Sequence, residues 1–212
     1  MYIPSHFKDD DLASLHRAME GSRLATVVTA DAAGLQAIHV PLLLDRTQGP
    51  NGILFGHLAK ANPQWKALAS GEALVIFQGA DAYVSPSWYA AKTEHGKVVP
   101  TWNYTAVHAY GRAEVFTDPV RLLRLVSDLT DKHEANRAEP WAVSDAPADY
   151  ITNMLSGIVG FAIAIERLEG KRKLNQNRSA EDIAGVSRGL ANSQHPRDQE
   201  IARLMSQGEN CA

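Results

Sequence analysis

The sequence of 212 residues contains a single cysteine, Cys211. That thiol has no partner within the chain, so a disulfide framework is excluded and a cytoplasmic location is the expectation. Long apolar runs are also missing. None approaches the roughly 20 residues that a membrane-crossing helix needs, and Met1-Tyr2-Ile3-Pro4-Ser5-His6-Phe7 lacks the basic and apolar regions of a secretory signal. Neither sign of charge dominates: 21 basic residues stand against 24 acidic ones, a net charge of −3. A dedicated DNA-binding domain usually carries a much more basic footprint. Internal repeats, low-complexity tracts and linkers are absent.

Several motifs are missing as well. There is no G-x-x-x-x-G-K-[ST] loop and no G-x-G-x-x-G after a strand; Gly157 and Gly160 supply neither. No G-x-S-x-G elbow offers a nucleophile. His133-Glu134 opens like a zinc-protease helix, but Arg137 stands where the second histidine is required. The other histidines are scattered, so no metal site is expected. What remains is an ordinary globular composition, 45% hydrophobic and 21% charged, which is enough for a substantial core.

The first half reads as short strands separated by turns. Arg23 to Thr29 is apolar and β-branched, Asp31 to Gly34 turns it back, and Leu35 to Leu44 follows. A second turn at Gly49 to Gly52 leads into Ile53 to Leu58. Asn62-Pro63 signals a helix start, with Asn62 as N-cap and an end near Gly71. Strands are expected at Glu72 to Phe77, Ala82 to Ser85, Tyr104 to Phe116 and Ile158 to Ile165. Asp118-Pro119 repeats the cap signature, and Leu122, Leu125, Val126 and Leu129 behind it form one buried stripe. From Ser179 onward the chain reads as helical, with capping-box spacing to Asp182 and a last helix opened by Pro196. The expectation is a mainly β, antiparallel domain over residues 1–212, with peripheral helices and a helical C-terminal extension from about residue 179. These patterns alone leave α+β layers open.

Three segments carry candidate chemistry, each with a plainer alternative. Gly56 to Trp65 places Lys60 just before a capped helix, where free N–H groups and a dipole attract anions; a solvated lysine before an ordinary helix fits as well. Pro86-Ser87-Trp88-Tyr89 and Pro100-Thr101-Trp102-Asn103-Tyr104 crowd aromatics into proline-bounded loops. These can stack on a planar ring, bury a subunit interface, or plug a core. Gly170 to Arg178 mixes four cations with amides. It can grip a phosphate or a heterocycle edge, touch nucleic acid, or simply be a solvated loop.

In order along the chain, Met1-Tyr2-Ile3-Pro4-x-x-Phe7, His39-Val40-Pro41, Gly56-His57 through Asn62-Pro63-Gln64-Trp65, Val84 to Tyr89, Val99 to Tyr104 and Lys173 to Arg178 resemble the PaiB-like family. Its members are labelled FMN-binding negative transcriptional regulators of the split-barrel flavoprotein superfamily. The resemblance implies a split β-barrel, Greek-key-like, that holds FMN between the two chains of a homodimer. It also implies site residues. His57, Lys60 and Asn62 would lie near the phosphate and ribityl chain, and His39 and Pro41 along the flavin ring. Trp88, Trp102 and Asn103 would come from either subunit, and Gln176 and Arg178 would close the site. Lys60 stands where the family commonly has arginine, and Asn175 where it has serine. The implied function is flavin binding with a regulatory or redox role. An FMN-dependent oxidoreductase and a regulator acting directly on DNA are the alternatives.

Overall fold

The computed structural model describes residues 1–208, so Cys211 lies outside the described residues. The strands are β1 (Lys8–Asp9), β2 (Ala25–Asp31), β3 (Gly34–Val40), β4 (Leu43–Asp45), β5 (Ile53–Ala59), β6 (Glu72–Val84), β7 (Thr101–Phe116) and β8 (Ile158–Lys173). The helices are α1 (Leu12–Gly21), α2 (Gln64–Ser70), α3 (Ala91–Glu94), α4 (Pro119–Glu134), α5 (Ala148–Ser156), α6 (Ala180–Ala191) and α7 (Pro196–Gly208). The strands form one sheet in the order β3-β2-β6-β7-β8-β5-β4, and β1 also pairs with β8. The registered pairs β1–β8, β2–β3, β2–β6, β4–β5 and β5–β8 are antiparallel. No helix of the described residues is long and apolar enough to cross a membrane.

Local chemistry explains where elements start and stop. The β2–β3 hairpin turns because the Asp31 carboxylate accepts the Ala33 N–H at 2.8 Å and Gly34 takes φ +111°, a region that other side chains avoid. The expected second strand, 35–44, is broken in two: β3 ends at Val40 and β4 resumes at Leu43. Pro41 between them has no N–H for a ladder. The two strands expected between Glu72 and Ser85 are instead one, β6. It runs through Gly79, where a Cβ would sit 2.0 Å from Thr105 Oγ1. Three helices escaped the sequence reading. Of these, α1 is started by Asp11, whose carboxylate accepts the N–H groups of Ala13 and Ser14 at 3.1 Å.

Packing divides the chain into two units. The first, here the α4 unit, comprises residues 16–77 and 108–168. In it Phe116, Leu122, Leu125, Leu129 and Ala162 form a cluster with Phe55, Ile53 and Leu155. Asp118 caps α4 by accepting the Arg121 N–H at 2.8 Å, and the stripe expected of α4 is buried at Leu122, Leu125 and Leu129, with Val126 half-buried. The second, here the α6–α7 unit, comprises, among the described residues, 1–15, 78–107 and 169–208. Its core joins Val84, Tyr89, Leu174, Val186, Leu190, Ile201 and Met205. The Ser179 hydroxyl accepts the Asp182 N–H at 3.2 Å as foreseen, but the buried Asp182 carboxylate turns to the Ala91 N–H at 3.1 Å.

Candidate functional site

In the α4 unit, the candidate residues cluster on β3, β5 and the start of α2. His57 pairs with Gly160 of β8 and shares its strand face with Phe55. Its Nδ1 is buried and has no hydrogen-bond partner. Burial holds the imidazole pKa below its ordinary value, so His57 is neutral near neutral pH. His39, exposed on β3, shares a 2.9 Å hydrogen bond between its Nδ1 and Thr26 Oγ1. Pro41 is half-buried where β3 ends.

The Lys60–Asn62 corner is braced by its own backbone. The Lys60 N–H donates to the Gly157 carbonyl at 2.8 Å, and Trp65 Nε1–H donates to the Lys60 carbonyl at 3.2 Å. Asn62 Oδ1 accepts the Gln64 N–H at 3.0 Å, but α2 begins at Gln64 with Pro63 at the N-cap position, so Asn62 stands one residue before the cap expected of it. That bond occupies one of the donors that would otherwise face an anion, and α2 is only seven residues long. The positive charge here is therefore chiefly the exposed Lys60 ammonium. A separate cleft of about 590 Å³ in the same unit is lined by Leu43, Phe55, Phe116 and three arginines. Those arginines, Arg46, Arg121 and Arg124, pair with Glu20, Glu114 and Asp128.

In the α6–α7 unit the candidates divide. Trp102 is 53% exposed and meets Tyr83 edge-on, with ring centroids 5.8 Å apart. Asn103, next along β7, points to the opposite face. It is fully buried: Nδ2–H donates to Met205 Sδ at 3.7 Å, and Oδ1 has no partner. Trp88 lies against α6, where a Cβ at Gly189 would come within 2.4 Å of its ring. Gln176 closes its own turn, accepting the Leu174 N–H and donating to the Arg172 carbonyl. Arg178 stands 5.0 Å from the Tyr89 ring centroid. Asn175, at φ +65°, donates to the Tyr89 hydroxyl at 3.3 Å.

The basic stretch from Gly170 differs most from the surface-loop alternative, because its first half is strand. Lys171 is buried and Lys173 half-buried. Lys171 Nζ donates to the Tyr2 carbonyl at 3.1 Å, and Lys173 Nζ donates to Thr101 Oγ1 and, at 2.7 Å, to the Trp102 carbonyl. The two lysines belong to the stretch expected either to grip an anion or to be a solvated loop, whereas Tyr83 was not among the residues expected at a site. The alternation of Lys171 and Lys173 was the available signal; Tyr83 offered none without the strand order.

Residues 1–167 match the model of the family described as "Putative FMN-binding domain". The chain belongs to that FMN-binding family. It is 34% identical over 206 residues to "Protease synthase and sporulation protein PAI 2" of Bacillus subtilis, an alignment that covers 97% of this chain and 96% of the relative. Its fold is similar to that of the flavocytochrome Anf3 of Azotobacter vinelandii, with TM-score 0.59, 15% identity, and 86% and 78% of the two chains covered. An FAD and heme binding protein of Mycobacterium smegmatis is similar too, with TM-score 0.59, 20% identity, and 84% and 78% covered. The expected mainly antiparallel, split-barrel flavoprotein fold is therefore the fold of this FMN-binding chain, and FMN is its cofactor. The residues present suit it. A flavin brings a planar ring, donors and acceptors along one edge, and a phosphate. The α4 unit offers the unpartnered Nδ1 of His57 and the exposed Lys60 ammonium, and the α6–α7 unit offers the exposed Trp102 ring with Tyr83 against it.

Proposed function

We propose that this chain binds FMN at the interface of a homodimer and uses it in a regulatory or redox role. The observation that carries this reading is the His57 imidazole: neutral, sheltered, and with Nδ1 lacking a partner in a family whose cofactor is FMN. A buried nitrogen without a partner costs about 1–3 kcal/mol, and a ligand that bonds to it removes that cost. His39 and Pro41 then line the ring, and Lys60 and Asn62 lie towards the phosphate and ribityl chain. In the α6–α7 unit, Trp102 offers exposed aromatic surface, Trp88 seats α6 and Asn103 contacts Met205 of α7.

When bound, the flavin supplies hydride or electron transfer; the protein supplies position and polarity. The name of the Bacillus subtilis relative, which refers to protease synthesis and sporulation, favours a regulatory role. Direct DNA binding is the weaker form of that role. Lys171 and Lys173, which would meet DNA phosphates if the stretch were a surface loop, are turned inward to the chain's own carbonyls. Oxidation of NAD(P)H by the flavin-loaded protein would favour an oxidoreductase instead.

The test is calorimetric titration of the full chain with FMN. His57→Leu is expected to weaken binding by about three- to tenfold, the worth of one hydrogen bond. Lys60→Ala is expected to weaken it by a few-fold at low salt, because an exposed charge is screened. Unchanged affinity in His57→Leu would remove His57 from the site.

A further inference from the structure

The cleft between β4 and α4 has no part in the FMN reading. Leu43 and Phe55, which stand opposite one another in the β4–β5 register, form one wall. The other is a single face of α4, because Arg121, Arg124, Leu125 and Asp128 follow the i, i+3, i+4 and i+7 spacing. Lys132 pins the later part of that helix to the residue before β4, its Nζ donating to the Leu42 carbonyl at 3.1 Å. About 590 Å³ stays open beside the earlier part, a volume within the range of small-molecule sites.

Close-packed proteins leave few such spaces, and here ion pairs between elements fix the walls. Glu20 of α1 grips Arg46, just after β4, through two nitrogens, and Glu114 of β7 grips Arg121 in the same way. The Arg121 guanidinium also lies 3.9 Å from the Phe116 ring centroid. Those two cations are committed. Arg124 is held differently: its partner Asp128 is on the same helix at 3.8 Å, and Arg124 is 85% exposed. A solvated pair of that kind is weak and is exchanged at little cost. Asp45, the second acid in the lining, is taken up by its own turn. Its carboxylate accepts the Thr47 N–H at 2.9 Å, the Thr47 hydroxyl at 2.7 Å and the Gln48 amide at 2.6 Å.

We propose that this cleft is a second ligand site, for a small monocarboxylate with an apolar body. The body lies on Leu43, Phe55 and Leu125, and the carboxylate takes the place of Asp128 at Arg124. One loosely held guanidinium matches one carboxylate in bidentate geometry. A phosphate dianion calls for a second cation, and Glu20 and Glu114 already hold the other two. The walls are preformed, so little ordering opposes binding. The site is distinct from the one proposed for the flavin and stands without it.

Calorimetric titration of the full chain at low salt with 2-naphthoate and with the uncharged 2-naphthamide tests this. The wild type is expected to bind naphthoate about three- to tenfold tighter than naphthamide. Arg124→Gln should remove that preference by weakening naphthoate alone, and Leu43→Trp, which fills the cleft, should abolish both. No binding of either probe, equal binding by the wild type, or a preference retained in Arg124→Gln overturns the assignment. So does unchanged binding in Leu43→Trp. In the wild type, where folding is not in question, naphthoate should shift the methyl NMR signals of Leu43 and Leu125; shifts confined to other residues overturn the site. Protein saturated with FMN should bind naphthoate unchanged, and competition would give the cleft to the flavin instead. If FMN itself does not bind, the FMN reading fails and the naphthoate result still decides the cleft.

Discussion

His57 is held neutral by its surroundings rather than by a neighbouring charge, since burial is what lowers its pKa. The folded state therefore takes up this proton less readily than the unfolded chain does. The stability His57 contributes is complete above the ordinary value of about 6.5 and declines as pH falls through that value towards the lowered one. Denaturation in urea at about pH 7.5 and about pH 5.5 checks this. Wild type should lose more stability on acidification than His57→Gln, and an equal loss would place the imidazole in water. At this scale the sequence was informative about which residue types matter and silent about direction. Trp102 and Asn103 are neighbours in one motif, yet strand alternation sends one to the surface and the other to Met205. The sequence left Lys171 and Lys173 open between an anion grip, a nucleic-acid contact and a solvated loop, because the Tyr2, Thr101 and Trp102 groups that hold them lie far away in the chain.

The helices divide by how local their signals are. Asp118 and Ser179 were legible as caps because each accepts an N–H three residues on, whereas the cap of α2 falls at Pro63, one residue after the expected Asn62. Asp118→Ala should cost about 0.5–2 kcal/mol, measured by thermal or urea unfolding; no change would mean that α4 is set by packing alone. The length of β8 was hidden, because its last residues are fixed by partners such as Lys8 and Asp9 at the other end of the chain. The seating of α6 was hidden too. It depends on Gly185 and Gly189, which give Trp88 room: added Cβ atoms would lie 2.1 Å from the Trp88 carbonyl oxygen and 2.4 Å from its ring. Gly189→Ala is expected to destabilise by about 1–3 kcal/mol through overpacking. Gly21→Ala, where a Cβ meets nothing within 4 Å, should stay within about 0.5 kcal/mol. Equal effects of the two would contradict the account of Trp88 as the residue on which α6 is seated.

For the whole molecule, the strand-and-turn spacing of the first half left α+β layers open, and the ordered family segments pointed to the split-barrel flavoprotein fold the chain adopts. The FMN-binding family supplies the cofactor, and the proposal adds the pairing of two chains around it. Native mass spectrometry of the full-length protein loaded with FMN bears on that claim most directly. The account predicts a dimer carrying two FMN molecules, with dimer and flavin lost together as FMN is removed by dilution. A monomer that holds FMN with undiminished affinity at every protein concentration would contradict it.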